Sequence, residues 1–77
     1  MTTETRTQEL FPQELADIRF CEHDRALRAL YKARAAHHQC LIDYGYGSRT
    51  TRQASQRVRF CAKTEALAWT RWYETQV

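Results

Sequence analysis

The chain has 77 residues, of which 43% are hydrophobic and 27% are charged, and its formal net charge is +3. This length allows one small domain, and the hydrophobic fraction excludes a largely disordered chain. No apolar run approaches the roughly 20 residues that cross a membrane. The polar start, MTTETRTQEL, lacks the apolar core of a signal peptide. We therefore predict a cytoplasmic protein, with no membrane partner, whose three cysteines stay reduced.

Charge is separated along the chain. Residues 1–24 carry six acids and two arginines, and residues 64–77 carry two acids and one arginine. Residues 25–63 carry nine bases and a single acid, Asp43. The nine bases are Arg25, Arg28, Lys32, Arg34, Arg49, Arg52, Arg57, Arg59 and Lys63. Solubility alone calls for mixed charges, whereas a segment of one sign attracts phosphate or an acidic protein surface.

The predicted elements are an N-terminal arm and two helices. Residues 1–11 are expected to form a flexible acidic arm. The first helix is predicted over residues 12–44, because the chain's only proline suits a first helical turn and no helix breaker follows it before the glycines. A second stretch without breakers predicts a helix over residues 50–75. No strand pattern is present, so the sequence predicts an all-α fold with helices over residues 12–77.

Both glycines lie in the stretch YGYGSRTTR, residues 44–52, which predicts a turn over residues 45–49. Gly45 is expected to end the first helix in the left-handed conformation, as in a Schellman motif, with Tyr46 packing back onto Leu41. Thr50 fits a capping box with the glutamine three residues later, and Ser48 is a competing cap. A phosphate-binding loop is not predicted, because the stretch lacks a preceding strand and further glycines.

Apolar residues recur at helical spacing on one side of each predicted helix. They are Phe20, Leu27, Leu30, Leu41 and Tyr44 on the first helix, and Ala54, Val58, Cys61, Ala68, Trp69 and Trp72 on the second. This pattern predicts an antiparallel two-helix hairpin with an alanine-rich seam. The two tryptophans are expected to close the core at the open end, which is the end away from the turn.

Each helix also carries a second apolar strip, with Ile18 on the first helix and Phe60 and Leu67 on the second. One hairpin cannot bury both strips, and two helices in a 77-residue chain form little core. We therefore predict a homodimer, arranged as a four-helix bundle, with these three residues at the dimer interface. The alternative is a monomer in which a bent or split first helix folds over the second.

Two charged residues, Arg34 and Glu65, fall within the apolar stripes and are predicted to form a buried pair. Such a pair fixes helix register more than it adds stability. His37, Cys40 and Cys61 supply fewer ligands than a structural zinc site requires, so we predict no metal. No nucleophile, base and orienting group stand at a recognisable spacing. The sequence therefore predicts no enzyme, no cofactor and no small-molecule substrate.

The hairpin layout over residues 12–75, including the bend DYGYGSRTTR, resembles small phage-encoded helical-hairpin proteins that bind and inhibit host regulators, such as quorum-sensing anti-activators. The resemblance implies a regulator that sequesters a host regulatory protein. The layout is also similar to that of plasmid copy-number proteins that bind paired RNA loops, which implies nucleic-acid binding instead. For either partner we expect the basic end of the hairpin to bind. Its predicted contact residues are Arg25, Arg28, Lys32, Tyr46, Arg49, Arg52, Arg59 and Lys63.

Overall fold

The computed structural model describes residues 12–77, which form two α-helices packed side by side and contain no strand. Helix α1 spans Pro12–Tyr44 and helix α2 spans Arg49–Glu74, within one residue of the predicted bounds. The all-α helical hairpin is therefore confirmed. Because α1 is one continuous helix of 33 residues, the alternative with a split first helix is wrong. The predicted flexible arm, residues 1–11, lies outside the described residues.

The seam between the helices repeats at alternating steps of three and four residues, as in a coiled coil. On α1 it consists of His23, Ala26, Leu30, Ala33, His37 and Cys40. On α2 it consists of Thr51, Ala54, Val58, Cys61, Glu65, Ala68 and Trp72. The alanines allow the two backbones to approach closely, and the polar members place hydrogen-bonding groups inside the seam. The two helices therefore pack along their length through a seam in which alanines alternate with larger or polar side chains.

The hairpin is a thin layer of 54 × 24 × 14 Å. Its smallest dimension is close to the ~10–12 Å diameter of a single helix, so residues 12–77 provide no element that covers either broad face. Among the described residues, the buried hydrophobic side chains are Ala26, Leu30, Ala33 and Ala68. No large side chain among them is fully buried. A layer of this kind contains little core of its own.

The turn between the helices is built from one glycine and one serine. Gly45 has φ +83°, and its N–H donates to the Leu41 carbonyl oxygen at 3.1 Å. This single bond is the αL motif, so the predicted Schellman motif is wrong. The expected packing of Tyr46 onto Leu41 is also wrong, because Tyr46 is 87% exposed. Ser48, in extended conformation, caps α2 by accepting from the Thr51 N–H at 3.1 Å, so Thr50 is not the cap.

Thr51 is the most buried polar residue of the described chain, at 2% exposure, and joins the two ends of the turn. Its hydroxyl oxygen lies 2.8 Å from the Gly45 carbonyl oxygen and 3.2 Å from the Cys40 carbonyl oxygen. It also accepts from the Ser48 hydroxyl at 2.8 Å. One side chain therefore ties the last turn of α1 to the cap of α2.

Replacing Thr51 with Val should lower the free energy of unfolding by about 0.5–1.5 kcal/mol, because the part-buried hydrogen bonding of its hydroxyl to the Gly45 and Cys40 carbonyl oxygens is lost while the shape of the side chain is kept. For a domain of this size, each kcal/mol shifts the melting temperature by roughly 4–8 °C. Thermal unfolding followed by circular dichroism measures the change. Thr50→Val is the matched control, because Thr50 is its exposed neighbour. Equal melting temperatures for the two variants would show that the hydroxyl does not hold the turn.

Candidate partner-binding surfaces

All nine bases of residues 25–63 are exposed, and the hairpin gathers them in the half nearest the turn, here called the basic half. Within residues 12–77, only one of the nine forms an ion pair, from Arg28 Nε to Asp24 Oδ2 at 3.1 Å. The single acid of the basic half, Asp43, accepts a hydrogen bond from Gln39 at 2.9 Å instead. The positive charge of this half is therefore largely uncompensated by the described chain.

Three shallow hollows lie between the helices in the basic half; two of them adjoin on one broad face, and we name the larger of these two and the one on the opposite face. The first, the alanine hollow, has a volume of about 290 Å³ and is lined by Ala29, Lys32, Ala33, Ala36, Arg57 and Cys61. The second, the arginine hollow, has a volume of about 210 Å³. It is lined by Arg52, Arg59, His37, Ser55 and Tyr46, together with Leu41 and Thr51. We call the corresponding sides of the layer the alanine face and the arginine face.

The predicted dimer residues lie on the alanine face. Phe60 and Leu67 directly precede two seam residues of α2, on the side marked by Arg57, which lines the alanine hollow. Ile18 lies two heptads before Lys32, which lines the same hollow from α1. Their exposures are 71% for Phe60, 60% for Leu67 and 45% for Ile18. The strips that the sequence assigns to separate helices therefore share one face of the hairpin.

The predicted Arg34–Glu65 pair is wrong. Glu65 Oε1 lies 2.8 Å from His23 Nε2 across the seam, where both side chains are largely buried, at 24% and 17% exposure. Arg34 is exposed. It stands eleven residues along α1 from His23, roughly 16 Å at the helical rise, so it is far from the level of Glu65. The polar pair across the seam is therefore formed by His23 and Glu65.

Aromatic residues gather at the open end of the hairpin. Phe20 and Trp72 meet edge to face across the seam, with ring centroids 6.4 Å apart and planes at 63°. Trp69 stacks on Tyr73 along α2, at 5.1 Å and 12°. Trp72 is half-buried, whereas Trp69 remains 45% exposed. Of the two tryptophans expected to close the core, Trp72 therefore contributes more.

Two seam residues and one neighbour of the seam, none of which the sequence interpretation assigned to a site, shape these surfaces: Thr51 holds the turn, His23 pairs with Glu65, and Ser55 lines the arginine hollow. The spacing carries a signal for two of them. Thr51 and Glu65 each lie seven residues from Val58, an apolar seam residue, which places Thr51 in the seam. His23 similarly lies seven residues before Leu30.

Cys21, Cys40 and Cys61 are free thiols. Within residues 12–77, no three His, Cys, Asp or Glu residues are grouped closely enough to hold a metal ion. Neither α1 nor α2 combines the length and apolar character needed to cross a membrane. Comparison of the chain with protein-family models, curated proteins and solved structures identified no match. The basic half and the two faces of the hairpin are therefore the features of the described chain that bear on its function.

Proposed function

We propose that the chain is a small, non-enzymatic regulatory protein that forms a homodimer and binds an acidic surface of a partner protein through its basic half. The observation that carries the proposal is the set of nine exposed bases, eight of which make no ion pair within residues 12–77. A concentration of uncompensated charge steers association with a surface of opposite sign. In the form implied by the resemblance to phage-encoded hairpins, the partner is a host regulator, which the protein inhibits in the cytoplasm.

The homodimer is supported by the alanine face. Phe60, Leu67 and Ile18 project from it beside a hollow whose lining consists of three alanines and Cys61, flanked by Lys32 and Arg57, so a second helix layer can approach the small side chains closely. Packing two copies through this face gives a four-helix bundle and buries apolar surface that one hairpin leaves exposed. The bundle leaves the arginine face of each copy open to a partner.

Charge favours an antiparallel orientation of the two copies. Residues 1–24 and 64–77 are acidic overall and include the open end, whereas the basic half lies nearest the turn. With the hairpins reversed, the open end of each copy meets the basic half of the other. A parallel arrangement would place the two basic halves side by side, and like charges facing each other are destabilising. The antiparallel dimer presents one arginine hollow near each end of the bundle.

Nucleic acid is the second candidate partner, and exposed tyrosines favour it. Tyr31, Tyr44 and Tyr46 are 58%, 62% and 87% exposed in the basic half, where they can serve as stacking platforms for bases. Tyrosine and arginine are also enriched at the centres of protein interfaces. The hairpin is 24 Å wide, about twice the width of the DNA major groove, and no single helix projects from it. We therefore rank a protein partner first.

The two candidates differ in a capture experiment with the full chain immobilised and exposed to nuclease-treated lysate of the cells that produce it. The basic-half variant carries Arg34→Gln, Arg49→Gln and Lys63→Gln. The control carries Thr70→Glu, Arg71→Gln and Gln76→Glu, which lowers the net charge equally at the open end. We expect a protein captured by the wild-type chain and the control, and lost with the basic-half variant.

Direct titration with duplex DNA and structured RNA completes the test. Micromolar binding that weakens steeply with salt, together with capture that disappears after nuclease treatment, would replace the protein partner with nucleic acid. Capture that is equal for the basic-half variant and the control would contradict both candidates, because it would show that the basic half does not bind.

A further inference from the structure

The arginine hollow differs from the alanine hollow because two arginines, a histidine and hydroxyl groups line it, whereas the alanine hollow is lined mostly by small side chains. Arg52 and Arg59 line it from α2, and Tyr46 lines it from the turn. His37 lines it from α1 and is half-buried in the seam. None of its seven lining residues is acidic. Arg52 lies in the first turn of α2, where the helix dipole adds positive potential.

The hollow offers an excess of hydrogen-bond donors. Each guanidinium has five N–H donors in a planar fork, and the hydroxyls of Ser55 and Tyr46 can also donate. The Thr51 hydroxyl is already engaged in the turn and is not available. Two guanidinium groups that line one small site match a tetrahedral group with three or four oxygens better than a carboxylate with two. The donor set therefore favours a phosphate group.

The dimensions of the hollow limit the kind of molecule whose phosphate group can enter it. At about 210 Å³, the hollow is smaller than the ~300–1,000 Å³ of pockets that enclose a whole small molecule. A phosphate monoester at the tip of a side chain can enter such a site end-on. A phosphodiester in a nucleic-acid backbone is flanked by sugars on both sides and runs along a surface instead.

We propose that the arginine hollow binds a phosphate monoester carried by a serine or threonine side chain of the partner protein, an inference that rests on the proposed function. Arg52 and Arg59, which lie two helical turns apart on α2, donate hydrogen bonds to the phosphate oxygens. Ser55, between them in sequence, and Tyr46 donate from the sides of the hollow. The alanine face does not contribute, so the dimer leaves this site accessible.

The test uses the ¹⁵N-labelled full chain, titrated at constant ionic strength with inorganic phosphate and then with a short phosphoserine peptide. We expect saturable shifts confined to the amides of the arginine hollow. The same peptide with unmodified serine should not bind, and the peptide with glutamate in its place should bind more weakly. Arg52→Gln and Arg59→Gln should each weaken phosphopeptide binding at least about tenfold, as expected for the loss of a charged hydrogen-bonding group.

Arg57→Gln is the matched control, because it removes the same charge from α2 but lines the alanine hollow. It should leave phosphopeptide binding within about twofold of the wild type. Equal losses for Arg57→Gln and Arg52→Gln, or shifts spread over all nine bases, would overturn the site in favour of general charge attraction. If a short RNA binds this hollow more tightly than the phosphopeptide does, the proposal that the phosphate is carried by a protein side chain is wrong. Absence of phosphate binding with normal protein capture would remove this inference and leave the proposed function standing.

Discussion

Replacing both Phe60 and Leu67 with Asp should convert the proposed homodimer into monomers. Each of these side chains stabilises a buried position by about 1.5–3 kcal/mol, and a symmetric dimer loses each of them twice. The total of about 6 kcal/mol or more corresponds to at least a 10⁴-fold weaker dimer, before the cost of burying four carboxylates is added. Sedimentation equilibrium measures the outcome, with the wild type at twice the 9.2 kDa of one chain.

The matched control carries Gln56→Asp and Ala66→Asp, which introduce the same two charges at exposed positions of α2 away from the alanine face. It should remain dimeric. A wild-type chain that sediments as a monomer, or a Phe60/Leu67 variant that remains a dimer, would show that the alanine face is not the dimer interface. The four-helix arrangement would then have to be abandoned.

Leu30→Ala should destabilise the fold by about 2–5 kcal/mol, the range for deleting a buried leucine. Leu30, at 4% exposure, is the largest of the four buried hydrophobic residues of the described chain, and the other three are alanines. Because small domains have only about 5–15 kcal/mol of stability in total, the loss is a large share of what holds the hairpin together.

Urea unfolding followed by circular dichroism measures this effect, with Leu30→Met as the control. Methionine conserves volume, so the control should cost less than about 1.5 kcal/mol. If Leu30→Ala costs no more than Leu30→Met, the central seam does not stabilise the fold, and stability must be assigned to the dimer contacts alone.

The helix bounds could be predicted because the chain marks them with rare residues. Pro12 suits the start of α1, and the only two glycines, Gly45 and Gly47, follow its end. The faces were predicted less well. Steps of 100° per residue drift by about 20° per heptad from a seam that repeats every 3.5 residues. Over the length of α1 the drift assigned Phe20 and Tyr44 to the seam, whereas they are 55% and 62% exposed.

For the candidate surface too, one part could be predicted from the sequence and another could not. The basic half follows from counting charges, because an antiparallel hairpin brings residues 25–63 together at one end whatever its details. The side chains that meet across the seam depend on the axial register of the two helices, which is the level of one helix relative to the other, and the turn determines it. That level comes from the αL cap at Gly45 and the early start of α2 at Arg49, which place Glu65 beside His23 rather than Arg34.

The binding of a partner by the basic half is tested most directly by the salt dependence of affinity. The captured partner is purified and titrated with the full chain as sodium chloride rises from about 50 to about 200 mM, which shortens the distance over which charges act. The account predicts binding at least about tenfold weaker at the higher salt, and a smaller loss with salt in the variant carrying Arg34→Gln, Arg49→Gln and Lys63→Gln, which retains six of the nine bases. An affinity that does not change with salt, and is the same for that variant, would contradict it.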